Sequence, residues 1–145
     1  MTTFSLGQLA FLETQRAGRL ATASDDGAPH VVPVCYACDG ASLYIALDAK
    51  PKRVAPERLR RIRNILANPR VALVIDRYSD DWSELAYLLI QGTALLIRPD
   101  QAEHSHAVAL LRQRYAQYLA MPIEQQPVIA IRPAKVVAWG LGTGD

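Results

Sequence analysis

Apolar residues recur three apart at the start of the chain. Leu6, Leu9 and Leu12 form one stripe, and Ser5 followed by Gln8 has the form of a capping box, so a helix is predicted over 5–16. Gly18 ends it, and residues 1–18 form an N-terminal helical arm. The period then falls to two. Residues 19–24 alternate, Asp25–Gly27 carry a hairpin turn signal, and 29–38 form a second strand. Pro33 inside that strand cannot donate to a ladder, so the strand belongs at an edge, a bulge or an interruption. Asp39–Gly40 turns the chain again into a third strand at 42–48.

The period returns to helical with Leu59, Ile62 and Leu66, predicting a helix over 56–67 with Pro56 in its first turn, Glu57 at its positive end and Asn68–Pro69 as its stop. An apolar strand over 70–77 and a polar loop holding Trp82 follow. Next comes a long strand over 85–97, in which Gly92 marks a bulge or bend. A helix begins at Pro99–Asp100 and runs to Tyr118, and a final strand over 127–140 is broken at Pro133. The tail, 141–145, reads as loose. The order is helix, three strands, helix, two strands, helix, strand. Six mostly antiparallel strands of this length predict a mainly β fold, a small barrel with peripheral helices, as one domain over 1–145.

Charge changes this picture in one place. The chain has 16 Lys plus Arg against 14 Asp plus Glu, yet Lys50, Lys52, Arg53, Arg58, Arg60, Arg61 and Arg63 crowd together with only Glu57 opposing them. Three readings compete: a solvated helix face, a nucleic-acid patch, and a seat for a phosphorylated ligand. The remainder of the chain is mildly acidic and no basic face is studded with aromatics, which argues against nucleic acid. Lys50, Lys52 and Arg53 directly follow a strand, in a loop stiffened by Pro51 and Pro56, which suits phosphate. The four helical arginines are spread around their helix and cannot all face one ligand.

Other chemistry is sparse. Cys35 and Cys38 are a lone C-x2-C without a second ligand pair, and i, i+3 positions on a strand face opposite sides, so no metal site is expected. His104 and His106 are two apart on a predicted helix, and His30 stands alone. No Ser-His-Asp order, G-x-S-x-G or G-x-G-x-x-G occurs. No apolar run reaches membrane-spanning length and the N-terminus lacks a basic n-region, so a cytoplasmic protein with no membrane partner is expected. A protein with an anion seat but no acid, base or nucleophile fits a cofactor that brings its own reactivity. Trp82 and Trp139 read either as core or as rings stacked near a flat heterocycle.

Residues 18–53 from "GRLATASDDG" to "KPKR", then "RLRRIRNILANPRVALVID", "QGTA" and a terminal "AWG", resemble the split β-barrel family of flavin- and deazaflavin-dependent oxidoreductases related to pyridoxamine 5′-phosphate oxidase, over about Arg19 to Gly140. The resemblance implies a six-stranded antiparallel split β-barrel of the FMN-binding type. It implies a homodimer with two cofactor sites at the interface and a small-molecule substrate. Lys50, Lys52 and Arg53 would meet the cofactor phosphate. The backbone of Val32, Pro33 and Val34 would run along the ring, Ile45 and Ala46 would line the ring or ribityl region, and Asn64 would add to them. The partner subunit would contribute Trp139, with Trp82 or Tyr87. "KPKR" replaces the Arg-Lys pair of the vitamin-B6 oxidases, and their Arg-bearing C-terminal segment has no counterpart. The resemblance therefore points to coenzyme F420, with FMN as the alternative, and to hydride transfer to an unsaturated organic substrate. A non-catalytic flavin or haem carrier on the same fold is the competing reading.

Overall fold

A computed structural model describes residues 4–47 and 55–142. Helix α1 (Leu6–Thr14) is capped as its sequence predicts: the Gln8 amide donates to Ser5 Oγ (3.1 Å) and the Ser5 amide to Gln8 Oε1 (3.0 Å). Strands β1 (Gly18–Ala23) and β2 (Pro29–Val34) form the first hairpin. The short β3 (Ala37–Cys38) pairs with β4 (Leu43–Ala46). A 3-10 turn at Pro56–Arg58 leads into helix α2 (Arg60–Ala67), followed by β5 (Arg70–Arg77), β6 (Ala86–Ile97), helix α3 (Ala102–Arg114) and β7 (Val128–Trp139).

All strand pairs are antiparallel, in the order β2-β1-β5-β6-β7-β4-β3. The first and last strands of that order, β2 and β3, are separated in sequence by Cys35 and Tyr36 alone. The two edges of the sheet therefore meet at one point of the chain, which curls the sheet into the split barrel. Seven strands replace the expected six because 29–38 divides at Tyr36. The cause is remote. The Tyr36 amide donates to Tyr115 Oη (3.1 Å), and the same hydroxyl lies 2.9 Å from the Tyr36 carbonyl. A side chain thus takes both backbone groups that a ladder would otherwise use. Tyr36 Oη in turn donates to the Leu12 and Gln15 carbonyls at the end of α1.

Three further expectations change. The helix read over 56–67 divides at Leu59, whose extended ψ of 135° separates the 3-10 turn from α2. The helix read to Tyr118 ends at Arg114, with a 3-10 turn over Ala116–Ala120 beyond it. Strand β7 is not broken at Pro133. It runs through, and the register shift against Gln91/Gly92 leaves Ala134 as an extra residue. A Cβ on Gly92 would fall 2.1 Å from the Arg132 carbonyl oxygen, so the bulge requires glycine on the opposing strand.

Leu20, Leu73, Ile75, Leu88, Ile90, Ile129 and Ile131 fill the barrel, closed on one side by Ile62 and Ile65 of α2. A second cluster, with Val108, Leu111, Tyr118 and Ile123, seats α3 against Tyr44, Ala130 and Val128. Because strand side chains alternate, Ala21, Ala72, Val74, Leu89 and Val137 face outward in register, and Val31 and Pro33 continue the row onto β2. Among the described residues, no helix is long and apolar enough to cross a membrane.

Candidate cofactor site

Helix α2 begins against its own electrostatics. A helix N-terminus carries unpaired amides and partial positive charge. Here the N-cap is Leu59, which has no capping group, and the first turn brings Arg60 and Arg61 and no acid. Arg61 Nε is sealed from solvent and has no hydrogen-bond partner among the described residues. A start of this kind lacks an anion, and helix N-termini with arginines beside them are where phosphates bind.

One turn on, Asn64 is buried and donates Nδ2 to Thr22 Oγ1 (2.9 Å). Across β1–β2, Thr22 stands opposite His30, whose Nδ1 is also sealed and unpartnered among the described residues. Between the β1–β2 turn and α2 lies a cleft of about 490 Å³, lined by Ser24, Asp25, Asp26, His30, Arg60 and Asn64 among others. Pro29 is shared with a second groove of similar volume. The floor of that groove is made of small residues: Ala21, Ala23, Ala72, Gly92 and Ala134, with Gln91 and Thr93 at hand. A polar cleft of mixed charge, with Arg60 set against Asp25 and Asp26, therefore adjoins a groove lined largely by small residues. This arrangement has room for an elongated ligand with a polar end and a flat end.

The sequence-predicted residues divide among several places. Asn64 lines the cleft. Val32, Pro33 and Val34 lie on β2, which has a strand neighbour on one side only, as Pro33 requires. Ile45 and Ala46 are buried in the two core clusters and line neither opening. Lys50, Lys52 and Arg53 lie outside the described residues. Tyr87 and Trp139 are register partners with rings stacked 6.2 Å apart at 20°, and Trp82 sits in the 3-10 turn just before β6. From Gln91 to Tyr87 is four residues of strand, about 13 Å. The aromatic residues thus form a group separate from the cleft of their own chain.

Sequence reasoning missed His30, Gln91, the alanine floor and the special position of Arg60 and Arg61. The last carried no sequence signal, because Pro56 and Glu57 mark a helix start four residues too early. The histidines of α3 serve elsewhere. His104 donates Nε2 to the Gln126 carbonyl (2.6 Å), and exposed His106 bonds Asp39 (3.0 Å). Cys35 and Cys38 are not joined in a disulfide, and burial pushes the Cys38 thiol up to about 11.

A polar network pins α3 to the sheet at some distance from the cleft. Arg132 bonds both oxygens of Glu103 (2.6 and 2.7 Å), and Tyr44 donates to Glu103 (2.6 Å) and Asp39 (3.1 Å). Arg132, opposed by burial and helped by Tyr44, holds the Glu103 carboxyl down at about 2. Burial raises the Asp39 carboxyl, but the Ser42 and Ala41 amides, His106 and Tyr44 outweigh it and bring it to about 2.

Comparison with known proteins agrees with the fold. The 5a,11a-dehydrotetracycline/5a,11a-dehydrooxytetracycline reductase of Streptomyces rimosus is 28% identical over 139 residues, 95% of this chain and 84% of the relative. A structure named as an F420 reductase superposes with a TM-score of 0.65 at 27% identity, covering 88% of this chain and 94% of the other. The haem storage protein HutZ of Vibrio cholerae superposes with a TM-score of 0.77, covering 94% and 95%, at 15% identity, a likeness of fold alone. The model of the pyridoxamine 5′-phosphate oxidase family matches residues 8–140, so the chain belongs to that family.

Proposed function

We propose that the chain is an oxidoreductase that binds a flavin-type cofactor, coenzyme F420 in preference to FMN, and reduces an unsaturated small organic substrate. One observation carries the reading: the uncapped start of α2, with Arg60 and Arg61 in its first turn, borders the His30–Asn64 cleft beside an alanine-lined groove. Arg60 and Arg61 would take the anionic end, with Lys50, Lys52 and Arg53 joining them. The backbone of Val32–Val34 and the alanine floor would carry the ring. Arg58 and Arg63, both exposed, extend the positive rim and favour the more acidic of the two cofactors. Relatives named as reductases, one for F420, support the same choice.

When bound, such a cofactor supplies the hydride. The chain's own residues bind, orient and exclude water. His30 and Asn64 fix the polar end, Pro33 leaves that stretch of β2 without an amide donor, and Gly92 permits the bulge that flattens the groove. We further propose that the protein works as a homodimer through its outward row of Val31, Pro33, Val74, Leu89 and Val137, an apolar surface that no described helix covers. A two-fold related copy would bring its own Tyr87–Trp139 end toward the cleft, which one chain's geometry cannot do.

The test is a titration of purified protein with FMN and with F420, followed by fluorescence, with sedimentation velocity in parallel. Tighter binding of F420 by a dimer is expected. Binding of neither cofactor sinks the reading. Loaded protein that never reduces an acceptor dye would make it a carrier instead.

A further inference from the structure

The ten aromatic side chains fall into two groups with nothing between them. Phe4, Phe11, Tyr36, Tyr44, Tyr115 and Tyr118 are all buried. Tyr78, Trp82, Tyr87 and Trp139 are exposed, at 68%, 71%, 36% and 51%. All four exposed rings lie at one end of the sheet. Tyr78 and Trp82 belong to the loop that closes the β5–β6 hairpin beyond its last rung, Arg77 with Ala86. Tyr87 and Trp139 form the adjoining rung of β6–β7. Gly140 holds β7 against this loop: a Cβ there would lie 2.1 Å from the Leu85 carbonyl oxygen, and its φ of 77° suits glycine. Large rings left in water beside a well-filled core mark a binding surface.

The charges around these rings indicate what the surface accepts. Residues 76–87 hold Asp76, Asp80, Asp81 and Glu84 against the single base Arg77. Arg77 is already engaged, its Nε donating to the Glu84 carbonyl (2.8 Å). Arg19 answers Asp76 at 2.9 Å, which leaves three exposed carboxylates around the aromatic group. The opposite character prevails at the start of α2. The two ends of the molecule therefore sort ligands by charge: anions to the helix, and flat rings without anionic groups to the aromatic end.

We propose that Tyr78, Trp82, Tyr87 and Trp139 form a stacking wall for a planar, conjugated ring system that is cationic or uncharged, and that this is the substrate class of the enzyme. Its role in substrate selection rests on the reductase reading above. Its ability to bind such rings does not.

Both tryptophans of the chain belong to this wall, so intrinsic tryptophan emission reports on it alone. The protein, without added cofactor, is titrated with proflavine, a planar cation, and with anthracene-9-carboxylate, a planar anion of similar size. Proflavine should quench the emission with a Kd at least tenfold lower than the anion's at low salt. Trp82→Ala and Trp139→Leu should each weaken it about fivefold or more, and Asp80→Asn with Glu84→Gln should narrow the cation preference. Equal binding of the two probes, no binding of either, or wild-type affinity in both tryptophan variants would overturn the proposal. So would a Trp139→Leu protein that turns monomeric while binding proflavine normally, since the wall would then be a self-interface. A protein that binds proflavine as expected but neither FMN nor F420 would retain the wall as a binding site and remove the reductase reading.

Discussion

Replacing Arg60 by Gln should move stability and ligand affinity in opposite directions. In the free protein Arg60 is an exposed cation in the first turn of α2, where the helix already presents unpaired amides and partial positive charge. Like-sign placement at a helix end costs about 0.3–1 kcal/mol. Removing it should therefore raise stability by up to that amount, or about 1–4 °C in Tm for a domain of this size, less what Arg60 gains from Asp26 across the cleft. A charge-assisted contact to a ligand phosphate contributes about 1.5–3 kcal/mol, so the same substitution should weaken cofactor binding roughly 10- to 150-fold. Urea unfolding of the cofactor-free protein and fluorescence titration measure the two quantities. Both differences should shrink in 1 M salt, where screening acts within about 3 Å. A variant that loses stability while keeping its affinity would refute the assignment, because Arg60 would then be a structural residue on an ordinary solvated face.

Tyr115→Phe should cost about 1–3 kcal/mol in urea unfolding, since it leaves the buried Tyr36 amide and carbonyl without their partner. Gly92→Ala should destabilise by a similar amount or fail to accumulate, because its Cβ meets backbone rather than a side chain that can yield. Glu103, held at about 2 against a usual 4.5, contributes stability that is complete above pH 4.5 and disappears as pH falls toward 2. Because the pair is partly exposed the loss is about 1 kcal/mol, and Glu103→Gln should flatten the urea midpoint between pH 3 and pH 6 relative to wild type. F420 binding should depend more steeply on salt than FMN binding if the rim of Arg58 and Arg63 meets the longer acidic tail, and equal slopes would count against that contact.

Where one local cause suffices, the sequence reads correctly. Strand β5 matches its predicted bounds at Arg70 and Arg77, and Gly92 announces the bulge. The division of 29–38 could not be read, because its cause is a hydroxyl 79 residues away. Nor could the true start of α2, since Pro56 satisfies the rules for a helix start and the 3-10 turn it begins ends only at Leu59. That shift of four residues hid the site. With the helix begun at 56, Arg60 and Arg61 are two arginines on a face. With it begun at 60, they are two cations where a helix wants an anion. The alanine floor was illegible for a different reason: alanine signals neither burial nor binding until neighbouring strands bring several together.

The departures from ordinary protein chemistry are not scattered. A helix that opens on cations, two sealed nitrogens on Arg61 and His30 that lack partners among the described residues, a proline within an edge strand, and four large rings in water each cost stability. Elsewhere the chain spends side chains freely to satisfy its backbone: Ser5 and Gln8 cap α1, Tyr36 takes the carbonyls at its end, and Tyr115 replaces a missing ladder rung. A sequence able to make those provisions could also have placed Asp at position 59 or Glu at 61. Their omission at α2, beside a cleft and a flat floor, is what selection for a bound anion would leave behind. The acid-ringed aromatic end differs in kind. It would repel the ligand that α2 attracts, and so the two surfaces act as complementary halves of one reaction site only if they face different molecules.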